Sequence, residues 1–176
     1  MSAGPDLRSL IRPVPDFPRP GVQFRDITTL LKDAAGFRAV VDGLCAPWRG
    51  EAVDKVVGIE SRGFIVGAAV ASALGRGFVP IRKAGKLPAE NFGQDYELEY
   101  GSDRLEMHRD AIERGERVLV VDDLIATGGT ADAALKLVAM AGGDVAGCAF
   151  VVELPSLGGC SKLRGRGLRI VSLAVF

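Results

Sequence analysis

The stretch that decides the fold runs from Val118 to Thr130 and reads VLVVDDLIATGGT. Its apolar start is typical of a strand buried inside a sheet, and the residues that follow have the apolar spacing of a helix. Glycines let consecutive backbone N–H groups point into one concavity, and a helix N-terminus adds positive partial charge there. We therefore predict a phosphate-binding turn, in which the threonine hydroxyls are further donors. Its residues are Ala126, Thr127, Gly128, Gly129 and Thr130.

Two carboxylates, Asp122 and Asp123, stand directly before this turn. The buried strand delivers them to the edge of the sheet, where they suit the hydroxyls of a ribose. No Gly-Lys-Ser or Gly-Lys-Thr follows at the spacing of a Walker loop. The ordinary alternative is a strand-to-helix connection with an Asp cap and flexible glycines. The whole string favours the functional interpretation.

Short apolar runs alternate with helical patterns along the rest of the chain. The runs predict strands at 55–59, 77–81, 117–121, 145–152 and 168–175, and helices at 5–12, 37–48, 63–74 and 130–141. This alternation predicts an α/β fold with a central, mostly parallel sheet flanked by helices. Residues 96–100 and 104–109 interrupt it as a hairpin, predicted to form a flap over the carboxyl edge of the sheet, where such folds bind ligands.

Composition limits the function classes. The chain has 176 residues, 48% of them hydrophobic, and its 22 basic residues balance its 22 acidic ones. One domain spanning 1–176 is therefore expected, with no global field for nucleic acid or an anionic membrane. No apolar run approaches the ~20 residues of a membrane span. Cys45, Cys148 and Cys160 are predicted to be buried free thiols, and the single His108 completes no zinc site, so we expect a cytoplasmic protein.

Two further segments suit an anion. Glu60-Ser61-Arg62-Gly63 lies between a predicted strand and a predicted helix, so its amides and Arg62 can meet a pyrophosphate; a plain helix cap at Ser61 is the alternative. Arg82, Lys83 and Lys86 follow the next strand on a loop that contains glycine. They are expected to form a mobile anion clamp, and the alternative is a solvated basic surface.

The whole string from Val118 to Thr130, an apolar strand followed by two acids and then Thr-Gly-Gly-Thr, resembles the motif with which type I phosphoribosyltransferases bind 5-phosphoribosyl-1-pyrophosphate (PRPP). Further strings are similar, in order and spacing, to the adenine phosphoribosyltransferase family, and the resemblance extends from about residue 6 to the end. These strings are PDFP at 15–18, PGVQFRDI at 20–27, GIESRGF at 58–64, IRKAGKLP at 81–88, YELEYG at 96–101, VEL at 152–154 and LGG at 157–159.

The resemblance implies an enzyme of the type I phosphoribosyltransferase fold that makes AMP and pyrophosphate from adenine and PRPP in purine salvage. It implies a small N-terminal hood at about 1–35, a flexible hairpin flap at about 82–109, and a homodimer. It also implies that Asp122 and Asp123 hold the ribose 2′ and 3′ hydroxyls and that the turn holds the 5′-phosphate. Mg²⁺ is implied through PRPP and water, without direct protein ligands.

The resemblance further implies residue roles in catalysis and pyrophosphate binding. Arg62 and Lys86 are implied to act on the leaving pyrophosphate, and a strained non-proline cis peptide is implied near Ser61. Glu97 and Glu99 alternate onto one face of a strand, so the spacing does not separate them. The family pattern places the proton-accepting acid directly before the Tyr-Gly pair, which selects Glu99. The implied pyrophosphate-binding residues are Glu60, Ser61, Arg62, Arg82, Lys83 and Lys86.

For the base, the resemblance implies that Arg25 and the backbone around Gln23 meet adenine, while Phe24 is either a second contact or part of the core. Gln23 departs from the small apolar residue of many relatives. Two other functions share the PRPP motif: transfer to another purine base, and PRPP sensing by a transcriptional regulator. A regulator would need a DNA-binding extension and a basic surface, and the balanced charge disfavours it.

Overall fold

A computed structural model describes residues 5–97 and 101–176. In chain order, its strands are β1 (Arg12–Pro15), β2 (Gln23–Asp26), β3 (Lys55–Ile59), β4 (Gly77–Lys83), β5 (Asn91–Glu97), β6 (Ser102–His108), β7 (Arg117–Ile125), β8 (Asp144–Glu153) and β9 (Ile170–Val175). Its helices are α1 (Thr28–Leu31), α2 (Ala34–Cys45), α3 (Arg62–Leu74), α4 (Gly129–Met140) and α5 (Gly159–Arg164). Within these ranges no helix is long and apolar enough to cross a membrane.

Seven strands form the central sheet in the order β5-β6-β4-β3-β7-β8-β9. The five strands from β4 to β9 are parallel, whereas β6 pairs antiparallel with β4 and with β5. From β3 the chain moves to β4 on one side, and from β7 it moves to β8 on the other. The carboxyl ends of β3 and β7 therefore border the crevice where open α/β sheets bind ligands. The predicted fold class is confirmed.

The apolar run in β7 follows from burial on both faces of the sheet. Val118 and Val120 pack with the buried residues of α4 and α5, while Leu119 and Val121 pack with those of α2 and α3. Successive strand residues point to opposite faces, so both sets must be apolar. Each fully buried valine or leucine contributes about 1.5–3 kcal/mol by leaving water. This burial fixes β7, and with it the position of the two carboxylates.

The predicted helix at 5–12 is wrong. Residues 7–10 form a turn, and Arg12–Pro15 is instead β1, which pairs antiparallel with β2 so that Val14 lies opposite Phe24. The pairing wins because it is tied by the Arg12–Asp26 ion pair and because prolines are tolerated in edge strands. The predicted helix at 37–48 is α2, which begins earlier and ends in a 3₁₀ turn.

The three cysteines are free and buried, as predicted. Burial raises the pKa of the Cys45 thiol, and it raises the pKa values of Cys148 and Cys160 to about 12. All three thiols therefore stay protonated at neutral pH, in the unreactive form.

Candidate active site

A cleft of about 760 Å³ opens at the carboxyl end of β7. It brings together five groups of residues that are far apart in the chain: β2 with the two residues before it, the first residue of α3, the end of β7 with the turn after it, the segment after β8, and the last residue. The residues that line it are Gly21, Val22, Gln23, Phe24, Arg25, Arg62, Asp122, Asp123, Leu124, Ile125, Ala126, Thr127, Gly128, Gly129, Thr130, Ala131, Leu154, Ser156, Leu157 and Phe176. The cleft thus joins the predicted ribose, phosphate and adenine residues with Arg62.

The predicted phosphate-binding turn, residues 126–130, is held in place by the start of α5, which is its neighbour in space. Gly128 has the left-handed φ of 84°, and no side chain caps the first N–H groups of α4. Those N–H groups therefore remain donors for an anion. The Gly159 N–H donates to the Ala126 carbonyl at 3.0 Å. Arg164 secures α5 through two hydrogen bonds to buried Glu153, at 3.1 and 3.0 Å.

Gly159→Ala is expected to displace this turn. The added Cβ would lie 2.4 Å from the Ala126 carbonyl oxygen and 2.8 Å from the Gly128 nitrogen, so backbone must move. A shift of about 1 Å in a binding group can cost up to ~10²-fold, so we expect KM for a substrate bound through its phosphate to rise about tenfold to hundredfold. Steady-state kinetics and the melting temperature measure the effect. Gly77→Ala is the control, because its Cβ would make only ordinary contact at 3.5 Å; equal kinetic losses in both variants would refute the assignment.

The two carboxylates at the end of β7 are both buried and differ in their partners. The Asp123 backbone N–H donates to Asp122 Oδ1 at 2.9 Å, and Arg62 Nε donates to Asp123 Oδ2 at 2.5 Å. Burial, followed by the negative charge of Asp123, raises the pKa of Asp122 well above its ordinary value. Two adjacent carboxylates resist full ionisation unless positive charge or hydrogen-bond donors approach. The pair therefore suits ligand hydroxyls and a cationic group.

Ser61 turns the chain sharply between β3 and α3. Its φ of 79° and ψ of −125° are strained for a residue with a side chain, at a cost of order 1–3 kcal/mol. Ser61 occupies the N-cap position, but its side chain makes no capping hydrogen bond, so the plain helix-cap alternative is not supported. The cis peptide implied near Ser61 is wrong: Phe17–Pro18 is the one cis bond between described residues, and the reversal at Ser61 uses its φ and ψ instead.

The predicted cation clamp lies at the carboxyl end of β4, beside the cleft but not among its lining residues. Arg82 and Lys86 both pair with Glu60, and Lys83 Nζ lies 3.0 Å from Asp103 Oδ2. Hydrogen bonding to Asp103 raises the pKa of Lys83. The three cations are thus held by carboxylates.

The adenine-binding residues predicted on β2 form one wall of the cleft. The Phe24 ring lies edge-on to the Phe17 ring, and the two ring centroids are 5.2 Å apart. The Arg62 guanidinium lies 5.5 Å from the centroid of the Phe24 ring. Phe24 is half-buried and faces the cleft, so it belongs to the wall rather than to the core. The Arg25 guanidinium lies 4.1 Å from the centroid of Phe176, a cation–π distance. Gln23 is exposed.

Comparison with known proteins agrees with this geometry. Residues 31–163 match the family model of the phosphoribosyl transferase domain. An adenine phosphoribosyltransferase of Methylobacillus flagellatus is 63% identical over 171 residues, covering 97% of each chain. The chain belongs to the adenine phosphoribosyltransferase family. Its β7, turn and α4 all fall inside the matched domain.

Two solved members of the family share the whole fold. The adenine phosphoribosyltransferase of Rhodothermus marinus has a TM-score of 0.91 at 50% identity, covering 97% of this chain and 96% of its own. The Saccharomyces cerevisiae enzyme, solved with an imino-altritol bisphosphate and adenine, has a TM-score of 0.86 at 40% identity, covering 97% of this chain and 95% of its own. Both are similar to this chain over nearly its whole length.

Several cleft residues escaped the sequence prediction. Leu154 and Leu157 lie in the strings at 152–154 and 157–159, so their order in the chain could have indicated them. No sequence motif around Phe176 indicated a place in the cleft, because only the fold of the sheet brings this residue there. Glu99, the predicted proton acceptor, lies outside the described residues.

Proposed function

We propose that this chain catalyses the transfer of a phosphoribosyl group from PRPP to adenine, giving AMP and pyrophosphate in purine salvage. The observation that carries the proposal is the single cleft, in which an uncapped helix N-terminus, a buried carboxylate pair and an aromatic wall face one volume. Membership of the adenine phosphoribosyltransferase family supports it.

Each part of PRPP has a suitable partner in the proposed complex. The turn at 126–130 binds the 5′-phosphate through backbone N–H groups and threonine hydroxyls. Asp122 and Asp123 accept hydrogen bonds from the ribose hydroxyls. Arg62, which already bonds Asp123, reaches from α3 to the pyrophosphate side. Phe24 and Arg25 contact the base. These roles are proposals that rest on the cleft and on the family resemblance.

In the proposed reaction, N9 of adenine forms a bond to C1′ of the ribose while the bond from C1′ to the pyrophosphate oxygen breaks. Charge grows on the leaving pyrophosphate, and Arg62 and Lys86 stabilise it. Glu99 accepts the ring proton of adenine. The rest of the catalysis is positioning, because the turn and the acids hold C1′ in line with the base. A flap at about 82–109 that closes over the cleft would exclude water and prevent hydrolysis of PRPP.

The residues of the cleft fit the Mg²⁺ that the family resemblance implies. Asp122 and Asp123 offer hard oxygen atoms, and the described part of the chain holds no cluster of three or more His, Cys, Asp or Glu side chains that could bind a metal. Mg²⁺ takes many of its ligands from substrate phosphates and water, so PRPP and water would supply its ligands, and the two carboxylates would balance its charge through water. When bound, the ion would neutralise pyrophosphate charge.

We also propose that the enzyme is a single-domain homodimer with the hood at about 1–35. The free, buried cysteines support a cytoplasmic location, because reducing compartments keep thiols unpaired.

The test of the proposed function is product identification. The purified protein is incubated with PRPP, Mg²⁺ and one purine base at a time, and the nucleotides are separated by chromatography. AMP formation from adenine alone supports the proposal. A nucleotide from hypoxanthine, guanine or xanthine instead would assign another base, and PRPP binding without any product would favour a sensor.

Gln23→Val is expected to keep the preference for adenine over hypoxanthine, with kcat/KM for adenine changing less than about tenfold. In the proposed complex the backbone N–H of residue 23 donates to adenine N1 and a nearby carbonyl accepts from the 6-amino group. Hypoxanthine reverses both polarities and leaves buried groups opposed. The exposure of the Gln23 side chain agrees with a backbone reader. Measuring kcat/KM for both bases in both proteins decides it; collapse of the preference would show that the side chain reads the base.

A further inference from the structure

Glu60 directly follows β3 and contacts the end of β4 and the loop after it, the segment 82–86 that carries the predicted cation clamp. Its Oε2 accepts hydrogen bonds from Arg82 Nε at 3.3 Å and from the Lys83 backbone N–H at 3.0 Å, and its Oε1 accepts one from Lys86 Nζ. Both carboxylate oxygens are therefore occupied by the residues that the sequence assigns to pyrophosphate.

The carboxylate of Glu60 is far less exposed than the cations it holds. Its side chain is 16% exposed, against 36% for Arg82 and 44% for Lys86. Burial by itself would raise the pKa of the Glu60 carboxyl, but the hydrogen bonds from Lys86 and Lys83 outweigh it and the pKa is lowered. The group is thus a fixed negative charge at neutral pH, beneath two cations that reach towards solvent.

Other contacts hold the backbone of the loop. The Ala84 N–H donates to the Arg104 carbonyl at 3.1 Å, and the Gly85 N–H donates to Glu106 Oε2 at 2.9 Å. Both acceptors belong to β6. Loss of the Glu60 charge would therefore release the two side-chain cations more than it would release the loop.

A pyrophosphate group could not gain from direct contact with Glu60, because both are anions. It could gain only from the cations, and the cations are already neutralised in part by the carboxylate. Like charges in a partly buried site repel strongly, since the effective dielectric there is well below that of water. The Glu60 charge must then lower the affinity of the site for a multiply charged anion.

We propose that the Glu60 carboxylate is an internal competitor of pyrophosphate: it occupies Arg82 and Lys86, and binding of the pyrophosphate group requires these cations to leave it. This inference rests on the proposed function, in which Lys86 stabilises the pyrophosphate, and on the family resemblance, which assigns Arg82 to the pyrophosphate as well. It changes the role of Glu60 from a pyrophosphate ligand to a positioning residue that limits affinity and speeds product release.

The experiment is a calorimetric titration in which inorganic pyrophosphate, together with Mg²⁺, is added to the full-length protein. Glu60→Gln keeps the shape of the side chain and removes its charge, so Kd for pyrophosphate is expected to fall about tenfold, and kcat to fall severalfold because the product leaves more slowly. Glu60→Asp retains the charge and is expected to bind within about threefold of wild type. Loss of a merely structural contact would weaken binding, so the sign of the change separates the two roles.

Glu116→Gln is the matched control. Glu116 pairs with Lys55 Nζ at 2.8 Å near the amino ends of β3 and β7, away from the cations, and the substitution changes the net charge equally. The Kd of the Glu116→Gln protein for pyrophosphate is expected to match that of the wild-type protein. An unchanged or higher Kd in a folded Glu60→Gln protein would overturn the proposal. Because this titration needs no base and no turnover, tightening would stand even if the wild-type protein made no AMP.

Discussion

Asp123→Ala is expected to lower kcat/KM for PRPP by about 10²–10⁴. In the proposed complex this carboxylate bonds the ribose hydroxyls, and a charge-assisted hydrogen bond contributes roughly 1.5–3 kcal/mol, so two of them account for the range. The variant also leaves Arg62 without its bond to Asp123. Initial rates at varied PRPP, with adenine saturating, measure the loss.

The same variant is expected to remain folded. Asp123 is one of two adjacent buried carboxylates, and its charge helps to raise the pKa of Asp122, so its removal relieves a repulsion. Arg62 is a third exposed and can be solvated. Asp144→Ala is the control, because Asp144 is an exposed residue at the amino end of β8, outside the cleft. Wild-type use of PRPP by a folded Asp123→Ala protein would refute the ribose assignment.

Glu99→Gln is expected to lower kcat by about two to four orders of magnitude, the usual contribution of a positioned proton acceptor. The amide keeps the shape of the side chain but cannot take the proton of adenine N9. The acid limb of the pH–rate profile, which reports the ionisation of that base, should also disappear. Steady-state rates between pH 5 and 9 measure both effects.

Glu97→Gln is the matched control for this prediction. Glu97 is the last residue of β5 and is exposed. Its backbone carbonyl oxygen lies near Gly129, 3.3 Å from where a Cβ added to that glycine would be. Its side chain is expected to contribute little, so the variant should keep kcat within a few-fold. If Glu97→Gln lost more activity than Glu99→Gln, the assignment of the proton acceptor would be reversed.

The sequence predicted the elements whose pattern is local. A strand buried on both faces reads as a continuous apolar run, which is why β7 and the turn after it were found together. The pair β1 and β2 was missed because each has only four residues, and what makes them strands is their pairing across the intervening loop. No periodicity in so short a segment could indicate a partner.

The site residues that belong to a local motif were predicted from the sequence, as the locally patterned elements of the fold were. The turn, the acids and β2 carried their own motifs, and the structure places all of them at one cleft. Phe176 lies far from them in the chain and carries no motif. The pairing of Glu60 with Arg82 and Lys86 could not be predicted from the sequence either, because it depends on β3 and β4 lying side by side.

The position of Phe176 has a practical consequence. Its ring lines the cleft and lies 4.1 Å from the Arg25 guanidinium, while its N–H donates to the Glu153 carbonyl at 3.1 Å. Any polypeptide fused after this residue begins beside the wall of the cleft that we propose binds the base. A carboxy-terminal affinity tag would therefore obstruct the entry of substrates into the cleft. Rates measured on such a fusion protein would reflect the tag as well as the enzyme.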